Sequence, residues 1–126
     1  MPVHKPAHIL LVDDDDAIRD LLSIVLEGSG YRVQTAADGR QAKEALSQQQ
    51  SAPDLIVLDM MMPVMDGLAF LQWLRQERRA TIPVLGLTAM EKAGSQQAIL
   101  DAGATLVIFK PVNTPHLVTA VNKLLA

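Results

Sequence analysis

The chain has 126 residues, 49% of them hydrophobic and 20% charged, with a formal net charge of −3 and no cysteine. That length and balance fit one globular domain with a full core, and they exclude a disordered profile, a disulfide framework, a thiolate metal site and the basic footprint of a non-specific nucleic-acid binder. No apolar stretch approaches the ~18 residues of a membrane span, and Met1-Pro2-Val3-His4-Lys5-Pro6 lacks a signal-peptide core, so a cytoplasmic domain with residues 1–7 as a flexible lead-in is expected.

Strand-like and helix-like segments alternate five times. Ile9-Leu10-Leu11-Val12 is a continuous apolar run that ends on Asp13-Asp14. Asp16 then reads as the N-cap of a first helix whose stripe is Ile18, Leu21, Leu22, Val25 and Leu26, ending near Gly28. Tyr31 to Ala36 alternates apolar and polar residues, the pattern of a half-exposed edge strand. Asp38-Gly39 turns into a second helix carrying Ala42, Ala45 and Leu46, and Gln48 to Ser51 is a polar loop. Leu55-Ile56-Val57-Leu58 runs into Asp59, and a third helix from about Asp66 places Phe70, Leu71 and Leu74 on one face. Pro83 to Leu87 runs into Thr88, followed by a thinly striped fourth helix, about Glu91 to Ala102, with Ala98 and Ile99 and a Gly103 cap. Leu106-Val107-Ile108-Phe109 runs into Lys110. The last helix opens on Thr114 as N-cap with Pro115 at the first helical position, and buries Leu117, Val118, Val121, Leu124 and Leu125.

Continuous apolar runs suit strands buried on both faces of a parallel sheet, and the alternation with helices implies right-handed crossovers. The expected fold class is therefore α/β: a flavodoxin-like, doubly wound five-stranded parallel sheet in the order 2-1-3-4-5 with five helices. The alternative dinucleotide-binding order lacks its glycine loop, because aspartates 13–16 follow the first strand, and there is no Walker phosphate loop.

Ligands in such sheets bind outside the carboxyl ends of the strands. Asp13, Asp14, Asp59, Thr88 and Lys110 are all delivered there. Two carboxylates ~4 Å apart at an effective dielectric of ~20 repel by ~4 kcal/mol, so protonation, the lysine or a cation must neutralise them. Oxygen-only ligands suit Mg²⁺ or Mn²⁺, whose open positions phosphate oxygens complete. A carboxylate can itself be the nucleophile of phosphoryl transfer. Asp59, alone at the end of a central strand, is the candidate, with Asp14 on the metal, Asp13 supporting it, Thr88 donating to a phosphoryl oxygen and Lys110 pairing with another. Each residue also has a plainer reading: Asp13-Asp14 as a helix cap, Thr88 as a turn residue, Lys110 as a solvated amine. Asp15 and Asp16 read as loop and cap, His4, His8 and His116 as surface residues, and Trp73 as partly packed. Met60-Met61-Met62 with Met65 reads as loop and core packing before a soft partner surface.

With these residues in place, the sequence resembles the receiver domain of two-component response regulators over Ile9 to Leu125. The matching pieces are Asp13-Asp14, Asp59 with Pro63 and Asp66-Gly67, Thr88-Ala89, and Lys110-Pro111. The resemblance implies Asp59 as phosphoacceptor, a metal site of Asp13, Asp14, Asp59 and the Met61 carbonyl, Thr88 and Ala89 at the phosphate switch, Lys110 as phosphate partner and a cis Lys110-Pro111 bond. It implies Mg²⁺ or Mn²⁺ as cofactor and a histidine kinase or phosphotransfer protein as donor. It also implies a downstream protein or output domain read through the fourth helix, fifth strand and fifth helix, with no nucleic-acid or membrane binding by the domain itself. The resemblance further implies that loss of the phosphoryl group is tuned at Met61 and Met90, both apolar here. One departure stands out: Val107 occupies the place of the family's switch aromatic, leaving Phe109 as the nearest substitute. Two other functions compete with a phosphoaccepting switch that has at most slow self-dephosphorylation. One is a Mg²⁺-dependent phosphatase or phosphotransferase using Asp59; the other is a phosphorylation-independent docking module. Nothing after the fifth helix is read as an output domain, which leaves a stand-alone receiver and a piece of a larger regulator both open.

Overall fold

A computed structural model describes residues 6–48, 52–62, 65–89 and 95–126. The elements in chain order are β1 (His8–Val12), α1 (Asp16–Gly28), β2 (Arg32–Ala36), α2 (Gly39–Gln48), β3 (Leu55–Asp59), α3 (Gly67–Gln72, continued by a π-helical turn Trp73–Glu77), β4 (Val84–Ala89), α4 (Ser95–Asp101), β5 (Leu106–Lys110) and α5 (Thr114–Leu125). All strand pairs are parallel, in the order β2-β1-β3-β4-β5, which is the expected flavodoxin-like arrangement.

The apolar runs on β1 and β3 are explained by two half-cores. Successive strand side chains point to opposite faces, and both faces of this sheet are covered. Leu10, Val12, Ile56 and Leu58 pack with Ala42 and Leu46 of α2, Phe70, Leu71 and Leu74 around α3, and Ile99 of α4. Ile9, Leu11, Leu55, Val57, Leu85, Leu87 and Ile108 pack with Leu22 and Leu26 of α1 and Leu117, Ala120 and Val121 of α5. At roughly 1.5–3 kcal/mol per buried aliphatic or aromatic side chain, these two layers fix the sheet edge on which the charged residues sit.

Several local expectations are corrected. Asp15, not Asp16, caps α1: its backbone is extended and its carboxylate accepts from the Ile18 amide at 3.1 Å. Asp16 is instead a first-turn residue paired with Arg19. Asn113, not Thr114, caps α5 by accepting from the His116 amide at 3.0 Å, so Pro115 is the second helical residue. Ala120 replaces Val118 on the buried face of α5, because positions 117, 120, 121 and 124 share one helical stripe and 118 falls beside it. His116 is exposed, but His8 is buried: β1 begins at His8, opposite Arg32, one residue before the apolar run. Its Nδ1 has no hydrogen-bond partner, and burial followed by the Arg32 charge pushes its pKa below 6.5. His4 and the first residues of the expected fourth helix lie outside the described residues.

The end of α3 is shaped by its arginines. Arg75 donates through Nε to the Gly103 carbonyl at 3.0 Å and through Nη1 to the Ala80 carbonyl at 2.8 Å. Arg78 donates to the Leu46 carbonyl at the end of α2. Trp73 is half-buried, as expected, with its ring 5.7 Å from Phe70 and the Lys43 ammonium 4.8 Å above it.

Gly67 opens α3 against the strand that ends in Asp59. A Cβ there would stand 2.6 Å from the Met60 Cα and 2.8 Å from the Asp59 carbonyl oxygen, and neither backbone atom can step aside. Gly67→Ala is therefore expected to lower stability to urea unfolding by about 1–3 kcal/mol, as overpacking does. Gly28→Ala adds a methyl with nothing within 4 Å and should be neutral or stabilising by up to about 1 kcal/mol.

Candidate functional site

The sheet edge assembles the acidic cluster from three elements. Asp13 directly follows β1, and its amide extends the ladder by donating to the Ala36 carbonyl at 3.1 Å. Asp59 is the last residue of β3, and Val12 pairs with Leu58, so the next residues along, Asp13 and Asp59, stand side by side. Carboxylate oxygens of Asp13, Asp14 and Asp59 lie within 4.8 Å of one another. Asp13 and Asp59 are each only 1% exposed, whereas Asp14 is open to solvent. Lys110, the last residue of β5, reaches past β4 and donates from Nζ to Asp59 Oδ1 at 2.8 Å. The same oxygen accepts from the Met61 amide at 3.0 Å.

Two further hydrogen bonds hold Asp13 in place. Its Oδ1 accepts from the Asp15 amide at 2.9 Å, and its carbonyl accepts from Arg19 Nη1 at 2.9 Å. Its Oδ2 is buried and unpartnered. Burial is the main cause that pushes the Asp13 carboxyl up to about 6; the Asp15 amide opposes the shift and the Asp59 charge adds to it. Asp14 is also raised, by desolvation first and then by its hydrogen bond to Asp59 and the charge there. One lysine faces three carboxylates, and an orphaned buried oxygen is left over. Such an oxygen-only donor set fits a hard divalent cation such as Mg²⁺ or Mn²⁺.

These groups border an open cleft of about 350 Å³ lined also by Asp15, Ile18, Leu21, Leu22, Met61, Pro111 and Val112. The Lys110-Pro111 peptide is cis, as the resemblance implied. Thr88 is buried at 2% exposure and lies one residue beyond Leu87, the register partner of Asp59. Thr88 itself pairs with Phe109, Ala89 with Lys110 and Val107 with Gly86. By the two-residue period, Thr88, Val107 and Phe109 share one face of the sheet, and Val107 packs there against the core under α2, α3 and α4. Phe109 is half-buried. Met90 lies outside the described residues. Sequence reasoning missed Arg19 and the apolar residues of α1 that wall the cleft, because a lone arginine and a helical stripe carry no site signal until β1 and α1 are placed together.

A family model of the response regulator receiver domain matches residues 9–122. The chain belongs to that family. As a receiver domain it is 45% identical over 118 residues to the DNA-binding dual master transcriptional regulator RpaA of Synechocystis, an alignment covering 93% of this chain and 48% of that protein. It is 40% identical over 120 residues to the response regulator MprA of Mycolicibacterium vanbaalenii, covering 95% of this chain and 51% of that protein. The chain thus spans about half the length of the curated relatives it matches. Among solved structures, the chemotaxis protein CheY4 of Vibrio cholerae superimposes with a TM-score of 0.86 at 34% identity, covering 95% of this chain and 99% of that one. The signal receiver domain of a signal transduction histidine kinase from Syntrophus aciditrophicus gives 0.84 at 36%, covering 94% and 89%. No described helix is long and apolar enough to cross a membrane.

The raised Asp13 carboxyl has a stability consequence. Its folded pKa of about 6 lies above the ordinary 3.8, so the stability it contributes is full below pH ~4 and is lost as pH rises through ~6. Asp13→Asn keeps an oxygen for the Asp15 amide and removes the charge. In EDTA it should melt several degrees above the wild type at pH 7.5, with the gap closing toward pH 4.5. A gap that does not depend on pH would contradict the assignment.

Proposed function

We propose that this receiver domain is a signalling switch that takes a phosphoryl group onto Asp59 from a histidine kinase or phosphotransfer protein and changes the surface it presents to a downstream partner. The observation that supports this most strongly is the buried Asp59 carboxylate held 2.8 Å from the Lys110 ammonium at the sheet's ligand edge, beside Asp13 and Asp14. Asp59 Oδ1 is tied to Lys110 and to the Met61 amide. Its other oxygen is then the attacking atom: it forms the new P–O bond as the bond to the donor's imidazole nitrogen breaks. Lys110 offsets charge on the transferred oxygens, and the Thr88 hydroxyl with the chain at Ala89 takes up another. Asp13, Asp14, Asp59 and the Met61 carbonyl would hold Mg²⁺ or Mn²⁺, which when bound supplies the positive charge that lets four anionic groups coexist.

The switch reading accounts for the rest of the cleft better than turnover does. The apolar Met61 side chain lines it, and Met61 and Met90 offer no group that orients a water, so the phosphoryl group is expected to leave slowly. The altered surface would be α4, β5 and α5, the elements continuous with Thr88 and Lys110. Val107 cannot make an aromatic swing, and in this reading Phe109 would follow the hydroxyl in its stead, a role supported by its register pairing with Thr88.

Intact-mass spectrometry after incubation with a small acyl phosphate tests the proposal. The wild type should gain one phosphoryl group with Mg²⁺ or Mn²⁺ and none in EDTA, and Asp59→Asn should gain none. Undiminished uptake by Asp59→Asn would remove Asp59 from its role.

A further inference from the structure

Three methionines follow Asp59 in sequence, and the fold treats them differently. Met60 and Met62 are buried at 7% and 6% exposure, whereas Met61 is 45% exposed. Met61 is also attached to the reacting group. Its amide donates to Asp59 Oδ1 at 3.0 Å, and it lines the cleft that Asp13, Asp14, Asp59 and Lys110 share. An apolar side chain open to water at the mouth of a charged cleft contributes little to packing. Its thioether is the chemically distinctive part.

Exposure governs how fast a methionine is oxidised. A lone pair on Sδ attacks one oxygen of a peroxide; the S–O bond forms as the O–O bond breaks, and the departing hydroxide takes up a proton to leave as water. Sulfur loses two electrons and the peroxide gains them. The product is a polar sulfoxide whose oxygen accepts hydrogen bonds, in place of a group that accepts them weakly. This cleft, which Asp59 and Met61 both line, gives water a route to a phosphoryl group on Asp59, and the sulfoxide oxygen provides an acceptor that holds it there.

We infer that Met61 is a peroxide-sensitive modification site whose sulfoxide shortens the lifetime of the phosphoryl group on Asp59. The inference rests on the phosphoacceptor reading above. It makes the duration of the signal answer to oxidants as well as to the donor, and it is reversible, because methionine sulfoxide reductases restore the thioether.

The test begins with reduced wild-type protein, loaded with acetyl phosphate and Mg²⁺ to establish uptake. A second sample is treated with hydrogen peroxide before loading, and oxidation is mapped residue by residue. Met61 should oxidise well ahead of Met60 and Met62. The treated protein should then lose phosphate about three- to tenfold faster, the change that one neutral hydrogen bond to the attacking water makes. Reductase treatment should restore the original decay. Met61→Gln, which places an amide oxygen at the same position, should decay faster than wild type without peroxide. Met61→Leu should decay at the same rate as its own untreated form after peroxide. Normal uptake with unchanged or slower decay of the Met61 sulfoxide overturns the inference, as does equal oxidation of the three methionines or a peroxide effect that persists in Met61→Leu. Absence of uptake by the reduced wild type instead overturns the phosphoacceptor reading beneath it.

Discussion

Lys110 and Asp59 sit on strands that do not touch. β4 lies between them, and the ammonium reaches across its end to a carboxylate that is 1% exposed. This bridge holds only if Lys110 ends β5 within a side chain's reach of Asp59 and if the chain turns there so that the amine points inward. The ladder pairs set the first condition: Asp59 lies opposite Leu87 and Leu87 opposite Ile108, so Lys110 stands two residues further along and its long side chain reaches back across that offset. The turn after Lys110 begins at a cis peptide, and Pro111 and Val112 line the same cleft as the lysine. One ammonium still leaves an acidic excess, because Asp13 is equally buried and Asp14 lies in the same cluster. The two half-cores on either side of the sheet outweigh that repulsion and keep the cluster assembled.

Excess negative charge that cannot spread apart is what makes the site useful. The Asp13 carboxyl responds by holding its proton up to about pH 6, with one oxygen tied to the Asp15 amide and the other without a partner. A divalent cation would relieve the same repulsion more completely and would prepare the cleft for a further anion. On this view the fold stores an electrostatic demand at one edge that a divalent cation would answer, and the proposed phosphorylation of Asp59 would depend on that cation. Nearby, the residue after Asp59 makes a different kind of contact. A Cβ placed on Gly86 would meet the Met60 sulfur at 3.5 Å and Ile99 of α4 at 3.3 Å, so these two side chains meet over one position of β4. Val107, the register partner of Gly86, packs on the same face.

The parts of this arrangement that were legible in the sequence are those set by repetition. Apolar runs ending on Asp13, Asp59, Thr88 and Lys110 specify the parallel sheet, its order and the edge where the side chains gather, because a buried strand has few ways to be written. The parts that were not legible depend on single geometric choices. Whether Asp15 or Asp16 caps α1, or Asn113 or Thr114 caps α5, turns on which residue keeps an extended backbone, and neighbouring cap-forming residues are equally suited in composition. The burial of His8 follows from β2 pairing one residue further back than the apolar run suggests. The π-helical turn at Trp73–Glu77 and the reach of Arg75 to Gly103 depend on elements that meet only in the fold. Arg19 likewise gained meaning only when its guanidinium was found on the Asp13 carbonyl.

Carboxylate crowding relieved by a cation is tested most directly by melting the wild type and Asp14→Ala, each in EDTA and in saturating Mg²⁺. Asp14 adds charge to the cluster but little packing, since its side chain is exposed. Crowding predicts that Asp14→Ala melts at or above the wild type in EDTA. A ligand specific for the folded state stabilises it, so Mg²⁺ should raise the wild type while leaving the variant nearly unmoved, reversing their order. An equal rise in both proteins would show that Asp14 holds no cation, and a variant that melts well below the wild type in EDTA would show that repulsion at this sheet edge is not the constraint around which the site is built.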